Sequence, residues 1–193
     1  MQNLTLSNLS GFMAVSFITI SYFTNQKSTY LLYQSISIIF LSLSYYFSLN
    51  YFAMVGLILA LFRTITFYFY EKLNKVVPIF VCIIFSILTL CCYFVINFKI
   101  LKTANVKDVI FLIALILIIF IYRLKNESKI RLLLIISTSL NVIYNFVSVS
   151  PLFSTLTYVF EFFANLIAIF IYQVFPSIRN KNRAVIKNTI ERA

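Results

Sequence analysis

The chain has 193 residues, of which 62% are hydrophobic and 11% charged, with mean hydropathy +0.97 and net charge +11. Soluble domains carry about a quarter charged residues, so a soluble globular domain is excluded and a polytopic membrane protein is implied. Histidine is absent, there are only two glycines, and the three cysteines (Cys82, Cys91, Cys92) lie in one apolar run. Neither a metal site nor a phosphate-cradling loop can be built from that set.

In chain order, apolar stretches span roughly 4–23, 30–47, 51–70, 77–97, 106–123, 130–147 and 152–175. Each has about the 17–25 residues that a helix needs to cross a bilayer. Strand alternation is missing and the runs are too long for strands. The breaks between them are short and polar. Pro78 and Pro151 sit at helix starts, where a missing N–H costs little, and Pro176 ends the last stretch. The apolar bias runs on from the first stretch to the last, so a cleaved leader is not indicated. The expectation is a single transmembrane domain over 1–176, followed by a basic tail over 177–193.

Orientation follows from the Lys and Arg count. One side carries Lys99, Lys102 and Lys107. The other carries Lys27, Lys72, Lys75, Arg123, Lys125, Lys129, Arg131, Arg179, Lys181, Arg183, Lys187 and Arg192. Basic residues collect on cytoplasmic loops, which places the N-terminus outside and the C-terminus and tail inside. That asymmetry accounts for the positive charge without nucleic acid, and no aromatic-plus-basic groove motif occurs. Arg123, Lys125, Lys129 and Arg131 form a basic cluster suited to anionic lipid headgroups. Trp is absent, so Tyr22, Tyr30, Tyr46, Tyr51, Tyr70, Tyr122 and Tyr172, all near predicted ends, are expected to form the interfacial belt.

A repeat is visible at an offset of one hundred. Ser37 aligns with Ser137, Ala14 with Ala114, and Lys27 with Glu127 and Lys129 in the same polar break. Stretches one to three match five to seven in length and loop pattern. Three helices plus one make an even number, so the two repeats (4–70 and 106–175) point the same way, joined by a linker helix at 77–97. The fold expected is all-α, seven transmembrane helices in a 3+1+3 parallel-repeat arrangement.

Polar residues inside the apolar runs mark the interior. Asn141 and Asn145 are four apart, as are Glu161 and Asn165, so each pair shares a helix face. Arg63 lies ~18 Å and Glu161 ~14 Å from the outer ends of their helices at the usual rise per residue. An unpaired charge at the bilayer centre costs roughly 2.5–3.5 kcal/mol, so an Arg63–Glu161 ion pair is expected across the repeat interface. Asn141, Tyr144, Asn145 and Asn165 offer donors and acceptors for a polar ligand, or for bonds between helices. Gln34, Ser35 and Ser37 are placed at the inner mouth. Gly56 with Ala60, and Ala164 with Ala168, form small-xxx-small pairs that permit close helix contact.

The run IRLLLIISTSLNVIYNFVSVS at 130–150 resembles the YgjV family of bacterial inner membrane proteins. Arg131, Ser137, Tyr144, Asn145 and Ser150 match that family's basic pair, Ser-rich helix, Tyr-Asn pair and small-residue turn. Gly11, Phe12, Ala14, Lys27, Gln34, Ser37 and Arg63 match its first half, while Asn141 stands where the family usually has an aromatic residue. The resemblance covers 10–173 apart from the fourth helix. It implies a bacterial inner membrane protein and no particular activity. More distantly, the triple-helix repeat is similar to the SWEET, semiSWEET and PQ-loop transporters. The Pro-Gln hinge pair of that group is replaced by Asn25-Gln26 and Asn126-Glu127.

Two functional readings follow. One is a transporter or facilitator of a small polar solute, with Arg63, Asn141, Tyr144, Asn145, Glu161 and Asn165 lining or gating its path. The other is a non-transporting, partner-binding, immunity or regulatory subunit with a structural Arg63–Glu161 pair. No enzyme, cofactor or metal is expected, because the five acids lie mostly in breaks. The expected partners are the bilayer and a small polar solute, and a homo-oligomer is left open.

Overall fold

The computed structural model describes residues 2–24, 26–100, 106–148 and 152–175. Lys102, Ser150, Pro151, Pro176, Asn25 and the 177–193 tail lie outside the described residues. Within them are seven α-helices and no strand: α1 (Gln2–Tyr22), α2 (Lys27–Phe47), α3 (Tyr51–Lys72), α4 (Ile79–Phe94), α5 (Val106–Arg123), α6 (Glu127–Val147) and α7 (Leu152–Ile169). A π-helical turn extends α4 over Val95–Ile100, and another extends α7 over Phe170–Val174.

Local chemistry explains the ends. α2 and α6 begin about a turn before their apolar runs, because a polar first turn is still helical when its N–H groups are met. Asn126 does this for α6 by accepting from Lys129 N at 3.2 Å, and Asn50 does it for α3 by accepting from Ala53 N at 3.2 Å. α2 and α3 stop where Leu49 and Asn74 take left-handed backbone, φ 60° and 55°. The next residue then bonds back, Asn50 N to Tyr45 O at 3.0 Å and Lys75 N to Tyr70 O at 2.9 Å. Pro78 stands immediately before α4 in extended conformation.

Among the described residues, five helices are long and apolar enough to cross a membrane: α2, α3, α4 with its π turn, α6 and α7. α5 carries Lys107, Asp108 and Arg123 within its length, and α1 is diluted by serine, threonine and asparagine. The surface is apolar. Phe12, Phe62, Phe80, Phe146 and Phe163 are exposed, while Gln34, Arg63, Asn141, Asn145, Glu161 and Asn165 are buried. That inverted distribution is what lipid as solvent demands.

α1, α2 and α3 pack in succession, and so do α5, α6 and α7. Two seams join the groups: α1 lies on α7, and α3 lies on α5. α4 sits outside, against α3 and α5. The two glycines of the chain occupy these seams, one in each. A Cβ added to Gly11 would lie 2.6 Å from Phe153 Cβ, and one added to Gly56 would lie 3.0 Å from Leu115 Cδ1 and Phe111 Cε1. Equivalent bonds tie each group internally. Ser37 Oγ donates to Ala14 O at 2.9 Å, and Ser137 Oγ donates to Ala114 O at 3.1 Å.

The tyrosines divide. Tyr46, Tyr51 and Tyr172 are exposed near helix ends, as an interfacial belt requires. Tyr22, Tyr30 and Tyr122 are instead buried between the seams, which corrects their expected place in the belt. Position along a helix sets depth but not azimuth, and these three point inward.

Ser37→Ala and Ser137→Ala should each cost about 0.5–1.5 kcal/mol and add when combined, measured by unfolding of the purified protein. Gly11→Ala should destabilise by about 1–3 kcal/mol through the clash with Phe153. Gly56→Ala should stay within about 1 kcal/mol of wild type, since flexible side-chain tips can yield and helix propensity improves.

Candidate functional site

The helices enclose a cavity of about 40 Å³, room for roughly two or three waters. All six helices of the two groups contribute: Ile18 from α1, Gln34 and Ser37 from α2, Ala60 and Arg63 from α3, Leu115 and Tyr122 from α5, Asn141 from α6, and Thr157, Tyr158 and Glu161 from α7. α4 contributes none of its lining. Gln34 and Ser37, expected at the inner mouth, face this chamber.

Arg63 and Glu161 share the cavity but are not an ion pair. Among the described residues the salt bridge is Lys27 to Glu71, at 2.9 Å. Arg63 Nη1 donates to Leu115 O at 3.2 Å, and its guanidinium carbon lies 5.6 Å from the centre of the Tyr122 ring. Glu161 Oε1 accepts from Tyr22 Oη at 2.9 Å. Each charge has a neutral partner of its own: a backbone carbonyl and a ring face for the cation, a phenol for the acid. The expected staple is therefore corrected. Equal depth from sequence cannot say which partner is nearest.

Polar capacity is left over. Arg63 Nε and Asn141 Oδ1 are buried with no hydrogen-bond partner, and both residues line the cavity. An unmet donor and an unmet acceptor on residues of one cavity leave hydrogen-bonding capacity unused there.

Beyond each end of the chamber, tyrosine-centred bonds join the two groups. At one end Tyr22, Tyr30, Tyr122 and Gln34 form a cluster. Gln34 Nε2 donates to Tyr30 Oη at 2.7 Å, Tyr30 Oη lies 3.1 Å from Tyr122 Oη, and Tyr122 donates to Gln34 Oε1. Next to it is a smaller pocket lined by Thr24, Lys27, Tyr30 and Arg131. At the other end Tyr45 Oη donates to Asn145 Oδ1 at 2.5 Å, and Ser44 bonds both Ser7 and Ser154. Tyr22 and Tyr122 are one hundred residues apart, as are Tyr45 and Asn145, so each closure uses equivalent positions of the two groups.

Around the smaller pocket the groups cap each other's helices. Lys27 Nζ donates to Leu124 O at 2.8 Å, just past α5. Arg131 donates to Tyr22 O at 2.9 Å and Thr24 O at 3.2 Å, at the end of α1, and stacks 4.8 Å from the Tyr172 ring centre. Cations suit the negative ends of helices. Arg131 is thus buried, and Arg123 donates to Val77 O at 3.2 Å, so these two members of the basic cluster are spent on carbonyls of this chain.

Of the six residues expected at the site, the structure brings Arg63, Asn141 and Glu161 to the cavity. Asn145 accepts from Tyr45 and donates to Asn141 O at 2.7 Å. Tyr144 stacks on Phe111 at 4.7 Å and accepts from Asn50 Nδ2 at 3.3 Å. Asn165 ties α7 to α6 through Arg131 O at 2.7 Å. Tyr22, Tyr45, Thr157 and Tyr158 were missed. The offset of one hundred could have paired Tyr22 with Tyr122, but nothing in the sequence separates these phenols from belt tyrosines.

Tyr45→Phe should leave Asn145 Oδ1 without this donor and cost about 1–3 kcal/mol, read by thermal unfolding in detergent. An unchanged melting temperature would contradict the closure described here.

Neither a curated protein nor a solved structure matches the chain. A family model described as Imp-YgjV, bacterial inner membrane protein, matches residues 5–174. With its inverted polarity and several membrane-length apolar helices, this chain belongs to that family of bacterial inner membrane proteins, and it is a multi-pass protein of that membrane.

Proposed function

We propose that this protein passes a small polar solute across the inner membrane through the cavity between two like-oriented three-helix repeats. The observation that carries the reading is the chamber itself. It is lined by both repeats, holds an arginine, an acid and two amides, keeps Arg63 Nε and Asn141 Oδ1 unpartnered, and lies between closures built from equivalent positions. A core serving stability alone gains nothing from unpaired buried groups, each of which costs about 1–3 kcal/mol. The donor and acceptor together suit a neutral or zwitterionic guest carrying hydroxyl, amide or amino groups.

In this reading α1 and α5 also cross the bilayer, giving seven spans in a 3+1+3 order. Their polar and charged residues are tolerated because they face protein or lie at helix ends. The Lys and Arg asymmetry puts the N-terminus outside and the C-terminus inside. Arg63, Asn141 and Glu161 contact the solute. Asn145 belongs to one closure, and Tyr144 and Asn165 hold the surrounding helices. The expected likeness to SWEET and PQ-loop transporters has no support from any solved structure, and none is needed here. No reaction chemistry, cofactor or metal is invoked.

The competing reading, a non-transporting partner-binding or regulatory subunit, differs in how the chamber is reached. Thr157→Cys in a background lacking Cys82, Cys91 and Cys92 separates the two. Under transport, a membrane-impermeant thiol reagent labels this cysteine both in intact cells and in inside-out vesicles. Labelling from neither side, or from one side only, would sink transport and favour the subunit reading. A screen of small hydroxy, amino and amide solutes for thermal stabilisation, lost in Asn141→Leu, then identifies the guest.

A further inference from the structure

We infer that Tyr30 and Tyr22 form a proton relay from the smaller pocket to Glu161, making solute passage proton-coupled; the coupling rests on the transport reading above, whereas the relay itself does not. The geometry is a directed chain. Gln34 Nε2 donates to Tyr30 Oη at 2.7 Å, Tyr30 Oη donates to Tyr22 Oη at 3.4 Å, and Tyr22 Oη donates to Glu161 Oε1 at 2.9 Å. Tyr30 Oη has two phenol oxygens in reach, Tyr122 at 3.1 Å and Tyr22 at 3.4 Å, and with its proton turned to Tyr22 each link of this chain leads towards the carboxylate. Tyr22 is fully buried and Tyr30 nearly so, but Tyr30 also lines the smaller pocket, of about 20 Å³, enough for roughly one water. The chain thus runs from a water-sized pocket to an acid on the cavity wall.

The step balances with neutral phenols. A hydronium ion in the smaller pocket protonates Tyr30 Oη and leaves as water. Tyr30 gives its own proton to Tyr22 Oη, and the Tyr22 proton forms the new O–H bond on Glu161. One charge is neutralised on the cavity wall, and nothing is oxidised or reduced. Gln34 donates to the Tyr30 oxygen and holds it in place.

The groups around Glu161 suit a site that gains and loses charge. α1 presents Tyr22, α2 Tyr30, α3 Arg63, α5 Tyr122 and α7 itself Tyr158, while α6 offers only the amide of Asn141. On the cavity wall the cation, Arg63, is committed to Leu115 O and the Tyr122 ring rather than to the acid; at the smaller pocket Lys27 is paired with Glu71 and Arg131 is bonded to the end of α1. An acid locked in an ion pair would resist protonation; this one accepts from a phenol instead. Taking up a proton changes the net charge of the cavity that holds the solute, which is what coupling requires.

The test is a pH jump on the full-length protein in liposomes, with the protonated-carboxyl stretch followed by infrared spectroscopy. Between about pH 4 and pH 9, the range that buried carboxyls span, wild type should show a titrating band that Glu161→Gln removes. Tyr22→Phe and Tyr30→Phe should reach the same end point roughly a hundredfold more slowly, the lower end of what a positioned proton-transfer group contributes. Tyr30→Phe leaves the Tyr22–Glu161 bond intact and keeps the test open where Tyr22→Phe fails to fold. If Glu161→Gln removes no band, or if both phenylalanine variants protonate as fast as wild type, the relay is wrong. No solute enters this measurement. A cavity closed to thiol reagents would overturn transport and leave the relay standing, and the reverse also holds.

Discussion

The structure depends on keeping buried charges, Arg63 and Glu161 above all, and several amides away from hydrocarbon. Roughly 2.5–3.5 kcal/mol per unpaired charge at mid-bilayer is a large fraction of any protein's net stability. The fold meets this by turning the buried faces of α1–α3 and α5–α7 towards each other, so that polar side chains bond to the opposite group. Tyr22 with Glu161, Tyr45 with Asn145, Ser44 with Ser154 and Arg63 with Leu115 O all cross between the groups. The apolar residues are displaced outward, where lipid solvates them.

The join between the groups is made at close range and at equivalent places. Gly11 brings α1 onto α7, and Gly56 brings α3 onto α5. Without a hydrophobic drive between helices in lipid, such close approach is what makes van der Waals contact and interhelical bonds effective. The caps add a reciprocal tie, since Lys27 holds the end of α5 and Arg131 the end of α1. Each group completes the helix ends of the other. Moving one group against its partner must therefore break capping bonds at one end or the tyrosine bond at the other.

Where the pairing stops is as informative as where it succeeds. Arg63 Nε and Asn141 Oδ1 remain unmet in the chamber, while Asn165 Oδ1 and Asn97 Oδ1 remain unmet elsewhere in the fold. Those in the chamber belong to residues that also border open space and groups of both signs.

Composition and apolar run length determined the class, the positions of the helices and the residues that must hide from lipid, because transfer into hydrocarbon acts on each residue wherever its neighbours lie. The offset of one hundred in Ser37 and Ser137 was readable for the same reason: like positions in like units make the same bond to Ala14 and Ala114. Partnership was decided only by the tertiary structure. Depth along a helix placed Arg63 near the level of Glu161, but azimuth and tilt gave the arginine a carbonyl and a ring, and gave the acid a tyrosine from the end of α1. The same freedom took Tyr22, Tyr30 and Tyr122 out of the interfacial belt and took Asn165 out of the chamber. A helix's sequence specifies which face is polar, but what meets that face depends on how separate helices rotate and pack, a property of the whole bundle.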